Sequence, residues 1–334
     1  MEKPMNRNYR AFIAKQSGDD VICEVVQRTL EDLPADDVTI LVSWSSINYK
    51  DGLASLAKGG VVRDYPRVLG IDLAGIVVNS TDPRYAEGDE VLITGFNAGV
   101  GHDGGYATYA RVPGDWIVKC PEALSLREAM IFGTAGFTAA LAIRRLEHLG
   151  LTSTTGPVLV TGATGGVGSM AVSMLNNLGY EVHASTGKKD EHDYLKAIGA
   201  NIVLDRNDVN SKGRPLDKEL WAGAIDQVGG TTLSWIMSTL MYRGAVACTG
   251  LTGGFTYSAT VLPLLLRGAS VLGIDSVMCP ANERPALWER MSGELKPNRL
   301  DDLITTEIDL DGVADALTKI LAGKNRGRTI VKIG

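Results

Sequence analysis

The stretch Val158-Leu-Val-Thr-Gly-Ala-Thr-Gly-Gly-Val-Gly168, running directly into Ser169-Met-Ala-Val-Ser-Met-Leu-Asn-Asn-Leu178, limits what this chain can fold into more than any other part of it. It reads as a buried strand, a glycine-rich turn and a helix in unbroken succession. Val167, Met170, Ala171, Met174, Leu175 and Leu178 recur at helical spacing and make one apolar face. The order suits a dinucleotide pyrophosphate. Gly165 and Gly168 let backbone approach closely, and the helix N-terminus offers free N–H groups and partial positive charge. Thr164, Gly165, Gly166, Val167 and Gly168 are therefore the candidate phosphate-binding residues. The spacing is Ala163-x-Gly165-x-x-Gly168, so alanine stands where the usual fingerprint has its first glycine. A merely structural strand-to-helix turn can look the same; the helical face behind the glycines favours the cofactor.

From about Gly156 to Ser276 strand and helix continue to alternate. Strand-like runs at 158–160, 181–185, 201–204, 224–228, 245–248 and 270–274 are separated by helical segments, among them 190–198 and 231–241. Such a series predicts a parallel, doubly wound sheet that binds its ligand at the carboxyl ends of the strands. The first 125 residues differ. Runs at 40–44, 71–78 and 90–94 are punctuated by Gly59-Gly60, Asp82-Pro83, Glu87-Gly88-Asp89 and Pro113-Gly114, the texture of an antiparallel, barrel-type β domain. Past Pro280 come helices and a last strand at 329–333, which predicts a return of the chain to complete the first domain. The expected organisation is α/β: a β-barrel-type domain from residues 1–128 and 288–334, and a doubly wound nucleotide domain from residues 129–287.

The chain has 334 residues, enough for two domains with real cores. Its net charge of −6 argues against nucleic acid or an anionic membrane as the main partner, since both attract basic surfaces. No stretch approaches about 18 consecutive apolar residues and the N-terminus lacks a hydrophobic signal core, so a cytoplasmic location is expected. Cys23, Cys120, Cys248 and Cys279 lie far apart with no C-x-x-C pair, which supports neither a disulfide framework nor a cysteine zinc site.

Taken together, the β-rich start, the nucleotide domain in the middle and the short C-terminal return resemble the medium-chain dehydrogenase/reductase superfamily. The zinc-dependent alcohol dehydrogenases of that superfamily carry a metal-binding Gly-His-Glu motif. The matching place here reads Leu69-Gly-Ile-Asp-Leu-Ala-Gly75, and the segment of the first zinc cysteine reads Ser45-Ser-Ile-Asn-Tyr-Lys-Asp-Gly52. These residues do not suit a tetrahedral zinc site, and no metal is expected. The chain is similar to the zinc-free quinone oxidoreductase branch. Within it, Ile47-Asn-Tyr-Lys-Asp51, Gly273-Ile-Asp-Ser-Val277 and Gly327-Arg-Thr-Ile-Val331 resemble the acrylyl-CoA reductase subgroup. The resemblance implies a GroES-like catalytic domain joined to a Rossmann domain, a homodimer formed through edge strands of the nucleotide domain, and Leu251 and Ser276 as further cofactor contacts.

The second strand of the nucleotide domain chooses between the two nicotinamide cofactors. An NAD enzyme usually ends that strand with a carboxylate for the ribose 2′-hydroxyl. Here it ends Ala184-Ser-Thr-Gly-Lys-Lys189. Thr186, Gly187 and Lys188 would instead meet a 2′-phosphate with charge-assisted donors. Arg206 stands where the subgroup places a second phosphate-binding cation. Solvated surface charges are the other reading of these cations; the expected cofactor is NADPH.

Without a metal to polarise an alcohol oxygen, reduction of an activated C=C bond is the chemistry easiest to support. Hydride adds to the β-carbon, charge moves to the carbonyl oxygen, and a proton reaches the α-carbon. Hydrogen-bond donors aimed at that oxygen are the main device. By resemblance, Asn48 and Asp51 organise substrate and proton delivery, Tyr49 meets the nicotinamide end or donates the proton, and Arg328 closes the site. Each also has a plain structural reading: a turn residue for Asn48, a helix cap for Asp51, a strand-start cation for Arg328. Asp72 is either a site carboxylate or the partner of a nearby cation, and the threonines of Phe132-Gly-Thr-Ala-Gly-Phe-Thr138, Thr134 and Thr138, are either cofactor contacts or helix-start hydroxyls. Three functions follow: an NADPH-dependent reductase of a small α,β-unsaturated acyl-CoA such as acryloyl-CoA, with Lys58, Arg63 and Arg67 meeting the CoA phosphates; an NADPH:quinone or enone oxidoreductase; or a non-catalytic NADPH-binding protein.

Overall fold

Val158–Val160 forms a wholly buried strand, and the chain turns at Gly162 (φ 56°) into the helix Gly166–Asn177. The computed structural model describes residues 8–210 and 214–334. They fall into two units. The first holds the described residues up to Thr134 with Val277–Glu289 and Ile304–Gly334; the second holds Ala135–Ser276 and Arg290–Leu303.

In the second unit, six strands lie in the order Ile202–Asp205, Val182–Thr186, Val158–Val160, Trp221–Asp226, Leu240–Cys248, Ser270–Gly273. Every neighbouring pair is parallel. This is the doubly wound order in which the strand sequence reverses beside Val158–Val160. The two central strands, VLV and WAGAID, are buried along their whole length, as a sheet covered on both faces demands. The helix expected at 190–198 is shorter: a 3-10 turn at Lys189–Glu191 leads into His192–Ala197. The fifth strand begins at Leu240, straight after the helix Gly230–Thr239. Within this strand Arg243 takes a left-handed backbone (φ 60°), a residue type that gives no sequence signal for such a position.

In the first unit, the strands Asn8–Ser17 and Asp20–Thr29 form an antiparallel hairpin. Gly18 (φ 63°) and Asp19 make its two-residue turn, a recognisable hairpin signal. The main sheet is built on Val38–Ser46, which pairs antiparallel with Asp72–Ser80, with Tyr109–Val112 and with Arg328–Lys332. Arg328–Lys332 also runs parallel to Ile304–Ile308, so the C-terminal strand does return to the first unit. Phe12, Ile47, Leu69, Tyr106, Val313, Leu317 and Val331 share one buried cluster. The helix Tyr49–Ala54 sits on this cluster close to Val313–Leu321; a Cβ on Gly52 would stand 2.8 Å from Leu321.

Leu126–His148 is helical on both sides of Gly133, whose backbone (φ 49°, ψ −156°) leaves the helical region. Such angles are open to glycine and strained for other residues. By length and composition this helix could cross a membrane, but 83% of its most apolar window is buried inside the protein.

Candidate active site

The end of Val38–Ser46, the loop Ile47–Asn48, the start of Asp72–Ser80, the break at Gly133 and the start of Arg328–Lys332 converge in the first unit. Asp72 lies at the centre, fully buried. Its Oδ2 accepts from Asn48 Nδ2 (2.7 Å), Ser46 Oγ (2.6 Å) and the Thr134 backbone N–H (2.9 Å). Its Oδ1 accepts from Thr134 Oγ1 at 2.5 Å. Arg328, only 2% exposed, stands 3.9 Å from Oδ2. Its guanidinium donates to the carbonyls of Ile131 (2.9 Å) and Ile47 (3.1 Å), to Ser46 Oγ (2.8 Å) and to Asn48 Oδ1 (3.3 Å). A Cβ on Gly133 would lie 2.5 Å from Asp72 and 2.8 Å from Arg328, so glycine is required for space as well as for its angles.

This wiring sets the orientation of the Asn48 amide. Its oxygen faces a cation and one of its two N–H bonds faces an anion. The second N–H is left for another acceptor, and Asn48 is 7% exposed where Asp72 is closed off. Asp51, also fully buried, accepts from the backbone N–H of Asn48 (2.9 Å) with one oxygen and from that of Ile71 (2.9 Å) with the other. It thereby caps the helix Tyr49–Ala54 and holds the Asn48 backbone. Burial, with the Asp72 charge second, pushes its carboxyl up to about 7. Burial likewise lowers the Arg328 guanidinium, against the opposing pull of Asp72. Tyr106 is buried beside Asp51; its hydroxyl donates to the Ser46 carbonyl (3.1 Å), and burial raises it well above the usual phenol value.

Asn48, Asp51, Asp72 and Arg328 are thus brought together, and Tyr49 adjoins them with 44% of its surface exposed. Ser46, Tyr106, Gly133 and Thr134 belong to the same cluster; of these only Thr134 carries a sequence expectation, as a cofactor contact or helix-start hydroxyl, and its hydroxyl is found on Asp72. Single hydroxyls carry no spacing signal. The backbone passes close at Gly105, where a Cβ would sit 2.1 Å from the Asp72 carbonyl. Lys58 and Arg63 are exposed. Arg67 pairs with Asp103 (3.2 Å), which also binds Arg28 (2.8 Å).

In the second unit, Gly168 packs on the turn so closely that a Cβ would stand 2.5 Å from the Gly162 carbonyl. The left-handed residue is Gly162, one position before Ala163, and the Ala163 methyl is buried. This explains why alanine is tolerated there. No side chain caps the helix Gly166–Asn177 at Gly165, and the first N–H groups of a helix have no intrahelical partner. At the tip of Val182–Thr186, the Thr164 and Thr186 hydroxyls are 3.4 Å apart and the Lys188 N–H donates to Thr186 Oγ1 (3.1 Å). Arg206 lies over Gly187, where a Cβ would meet its Nε at 1.8 Å. Burial lowers the Lys188 ammonium, Glu191 opposes this and the Arg206 charge adds to it. The donors and the side-chain-free cradle fit a phosphorylated dinucleotide. The Thr138 hydroxyl donates to Ser276 Oγ (2.6 Å), both buried, while Leu251 is exposed. Among the described residues, no three His, Cys, Asp or Glu side chains gather to hold a metal ion.

A GroES-type β unit together with a doubly wound nucleotide unit defines an alcohol-dehydrogenase-type oxidoreductase. Residues 34–122 match the family described as the alcohol dehydrogenase GroES-like domain, and residues 166–293 match that described as zinc-binding dehydrogenase. The chain is 48% identical to the acrylyl-CoA reductase AcuI of Ruegeria pomeroyi, over 92% of this chain and 94% of that one. Among solved structures it is similar to Bacillus subtilis YhfP with NAD bound (53% identity, TM-score 0.96, 98% of this chain and 100% of that one). It is also similar to the Salmonella enterica YhdH oxidoreductase in complex with NADP (46% identity, TM-score 0.95, 97% and 100%). The chain belongs to the medium-chain dehydrogenase/reductase superfamily, in the quinone oxidoreductase branch and its acrylyl-CoA reductase subgroup.

Proposed function

We propose that this chain is an NADPH-dependent reductase of the activated C=C bond of a small α,β-unsaturated acyl-CoA, acryloyl-CoA or a near relative. The observation that carries the reading is the Asn48 amide, clamped between Asp72 and Arg328 with one N–H to give. Bound NADPH supplies a hydride. Asn48 donates its second amide hydrogen to the substrate carbonyl oxygen and stabilises the charge that develops there as the β-carbon is reduced. Asp51, Asp72 and Arg328 hold Asn48 in place, and the Tyr49 hydroxyl, at the exposed edge, delivers the α-proton. In the second unit, Thr164 to Gly168 take the pyrophosphate; Thr186, Gly187, Lys188 and Arg206 take the 2′-phosphate; Thr138, Leu251 and Ser276 complete the cofactor contacts. The paired cations at Lys188 and Arg206 favour NADPH over NADH, although the Bacillus YhfP relative was solved with NAD. The protein works in the cytoplasm as a homodimer, joined along the edge strand Ser270–Gly273 beside the exposed Leu264, Leu265 and Leu266.

One observation favours a second reading, an NADPH:quinone or enone oxidoreductase. Arg67 is tied to Asp103, which leaves Lys58 and Arg63 of the three cations expected to meet CoA phosphates. Steady-state NADPH oxidation with acryloyl-CoA, crotonyl-CoA and a benzoquinone separates the readings. Turnover of the thioesters with Asn48→Ala slowed roughly a hundredfold supports the first. Quinone turnover alone selects the second, and NADPH binding without any turnover overturns both.

A further inference from the structure

A second buried carboxylate lies in the nucleotide unit, at the carboxyl end of the strand Trp221–Asp226. Asp226 is fully buried, and among the described residues it pairs with no cation. Its Oδ1 accepts from Thr161 Oγ1 and from the Val228 N–H (3.2 Å), and its Oδ2 accepts from the Gly229 N–H at 2.9 Å. The direction of the Thr161 bond is settled by its neighbour: the Gln227 N–H donates to the same hydroxyl oxygen (3.3 Å), so the hydroxyl hydrogen goes to Asp226. All partners of this carboxylate are donors. An asparagine of the same shape would set its NH2 group against one of them, so only an acceptor on both oxygens satisfies the place. Burial raises the Asp226 carboxyl, and the three donors oppose that rise.

We infer that Asp226 is a positioning residue for the phosphate-binding turn, acting through Thr161. Thr161 immediately precedes Gly162, whose left-handed backbone starts the turn and whose carbonyl accepts from Gly165 (2.9 Å). The same carboxylate holds Val228 and Gly229 (φ 70°), from which the helix Gly230–Thr239 starts. One buried charge therefore fixes two adjacent turns at the carboxyl edge of the sheet, where a doubly wound fold receives its nucleotide. The inference rests on the cofactor reading above but holds for either nicotinamide dinucleotide.

The test measures dissociation constants without substrate, by cofactor fluorescence and calorimetry, for NADPH, NADH and 2′,5′-ADP. The variants are Asp226→Asn, Thr161→Val and Thr161→Ser. Wild-type affinity for NADPH or NADH checks the cofactor reading by itself. Expected are a roughly tenfold weaker Kd for the tighter dinucleotide in Asp226→Asn and Thr161→Val, and less than about twofold in Thr161→Ser, which keeps the hydroxyl. The Kd for 2′,5′-ADP, which lacks the pyrophosphate, changes less than about threefold. Unchanged dinucleotide affinity in both Asp226→Asn and Thr161→Val overturns the inference. So does an equal loss for 2′,5′-ADP, which would mark general loosening. If Asp226→Asn does not fold, the Thr161 pair decides.

Discussion

Replacing Arg328 with methionine tests the first-unit cluster most directly. The guanidinium is buried and donates to four acceptors: two carbonyls, one hydroxyl and the Asn48 amide oxygen. Methionine fills much of the volume but leaves these groups unsatisfied, and leaves Asp72 with no cation beside it. Removing one partner of a buried pair costs about 3–5 kcal/mol. That loss lowers the melting temperature by roughly 10 °C for a domain of this size. Lysine keeps the charge but has three donors for the four acceptors and no planar fork, so Arg328→Lys should lose about half as much. Activity follows orientation. With its oxygen no longer held, the Asn48 amide can turn, and kcat should fall at least about tenfold in Arg328→Met while the KM for NADPH stays within about twofold. Thermal melts and steady-state kinetics on the three proteins check this. A methionine variant that melts with the wild type refutes the reasoning. A lysine variant that melts like wild type yet loses all activity would instead place Arg328 on the substrate.

Three other outcomes are expected. Gly133→Ala introduces a strained backbone and a Cβ within 2.8 Å of Asp72, Ser46 and Arg328; it should destabilise the protein by at least about 3 kcal/mol in a denaturant titration, and a stable, active variant would contradict the packing described. The Asp51 carboxyl lies near 7 when folded against 3.8 ordinarily, so the folded state binds the proton more tightly. Its stabilising contribution is complete below about 3.8 and is lost as pH rises through about 7. Asp51→Asn should therefore flatten the decline of stability across that window, by on the order of a few kcal/mol, and an unaltered slope in pH-dependent melts would count against it. Arg206→Ala should lower kcat/KM for NADPH by roughly 10- to 100-fold and for NADH by less than about twofold; equal losses with both cofactors would remove the 2′-phosphate role.

The nucleotide unit was readable because its signals are local. A strand, a turn and an amphipathic helix contiguous in sequence carry their own periodicity, and the repeated alternation points to a parallel, doubly wound sheet without fixing its strand order. Arg243 was not readable, since nothing in a Tyr-Arg-Gly run marks which residue turns left-handed. The first unit was legible only in outline. Its sheet brings together strands more than 280 residues apart, such as Ser46 with Ile330, and one sequence does not state such pairings. The cluster around Asp72 shows the same limit. Asn48 and Asp51 stood out as a dense polar run, but Ser46, Tyr106 and Thr134 reach Asp72 only through the fold. Asp51 also shows that a polar run near a site divides its work, one residue facing outward and the next holding the backbone.

The two units use one device twice. Each buries an aspartate at a strand terminus, surrounds it only with donors, and sets beside it a glycine at positive φ: Asp72 with Gly133 (φ 49°), Asp226 with Gly229 (φ 70°). An acceptor-only side chain can draw several N–H and O–H groups to one point, and so fixes the backbones that carry them. The two cases differ in charge balance. Asp72 has Arg328 at 3.9 Å; Asp226 has hydrogen bonds alone, and burial raises its carboxyl. A raised folded value means that stability from Asp226 is complete below the unfolded value and falls as pH rises through the folded one. The carboxylate is retained at that disadvantage because a neutral amide cannot accept on both sides. Replacement by asparagine is thus a larger change than its size suggests in either unit, and it should loosen the Asn48 amide in one and the phosphate turn in the other.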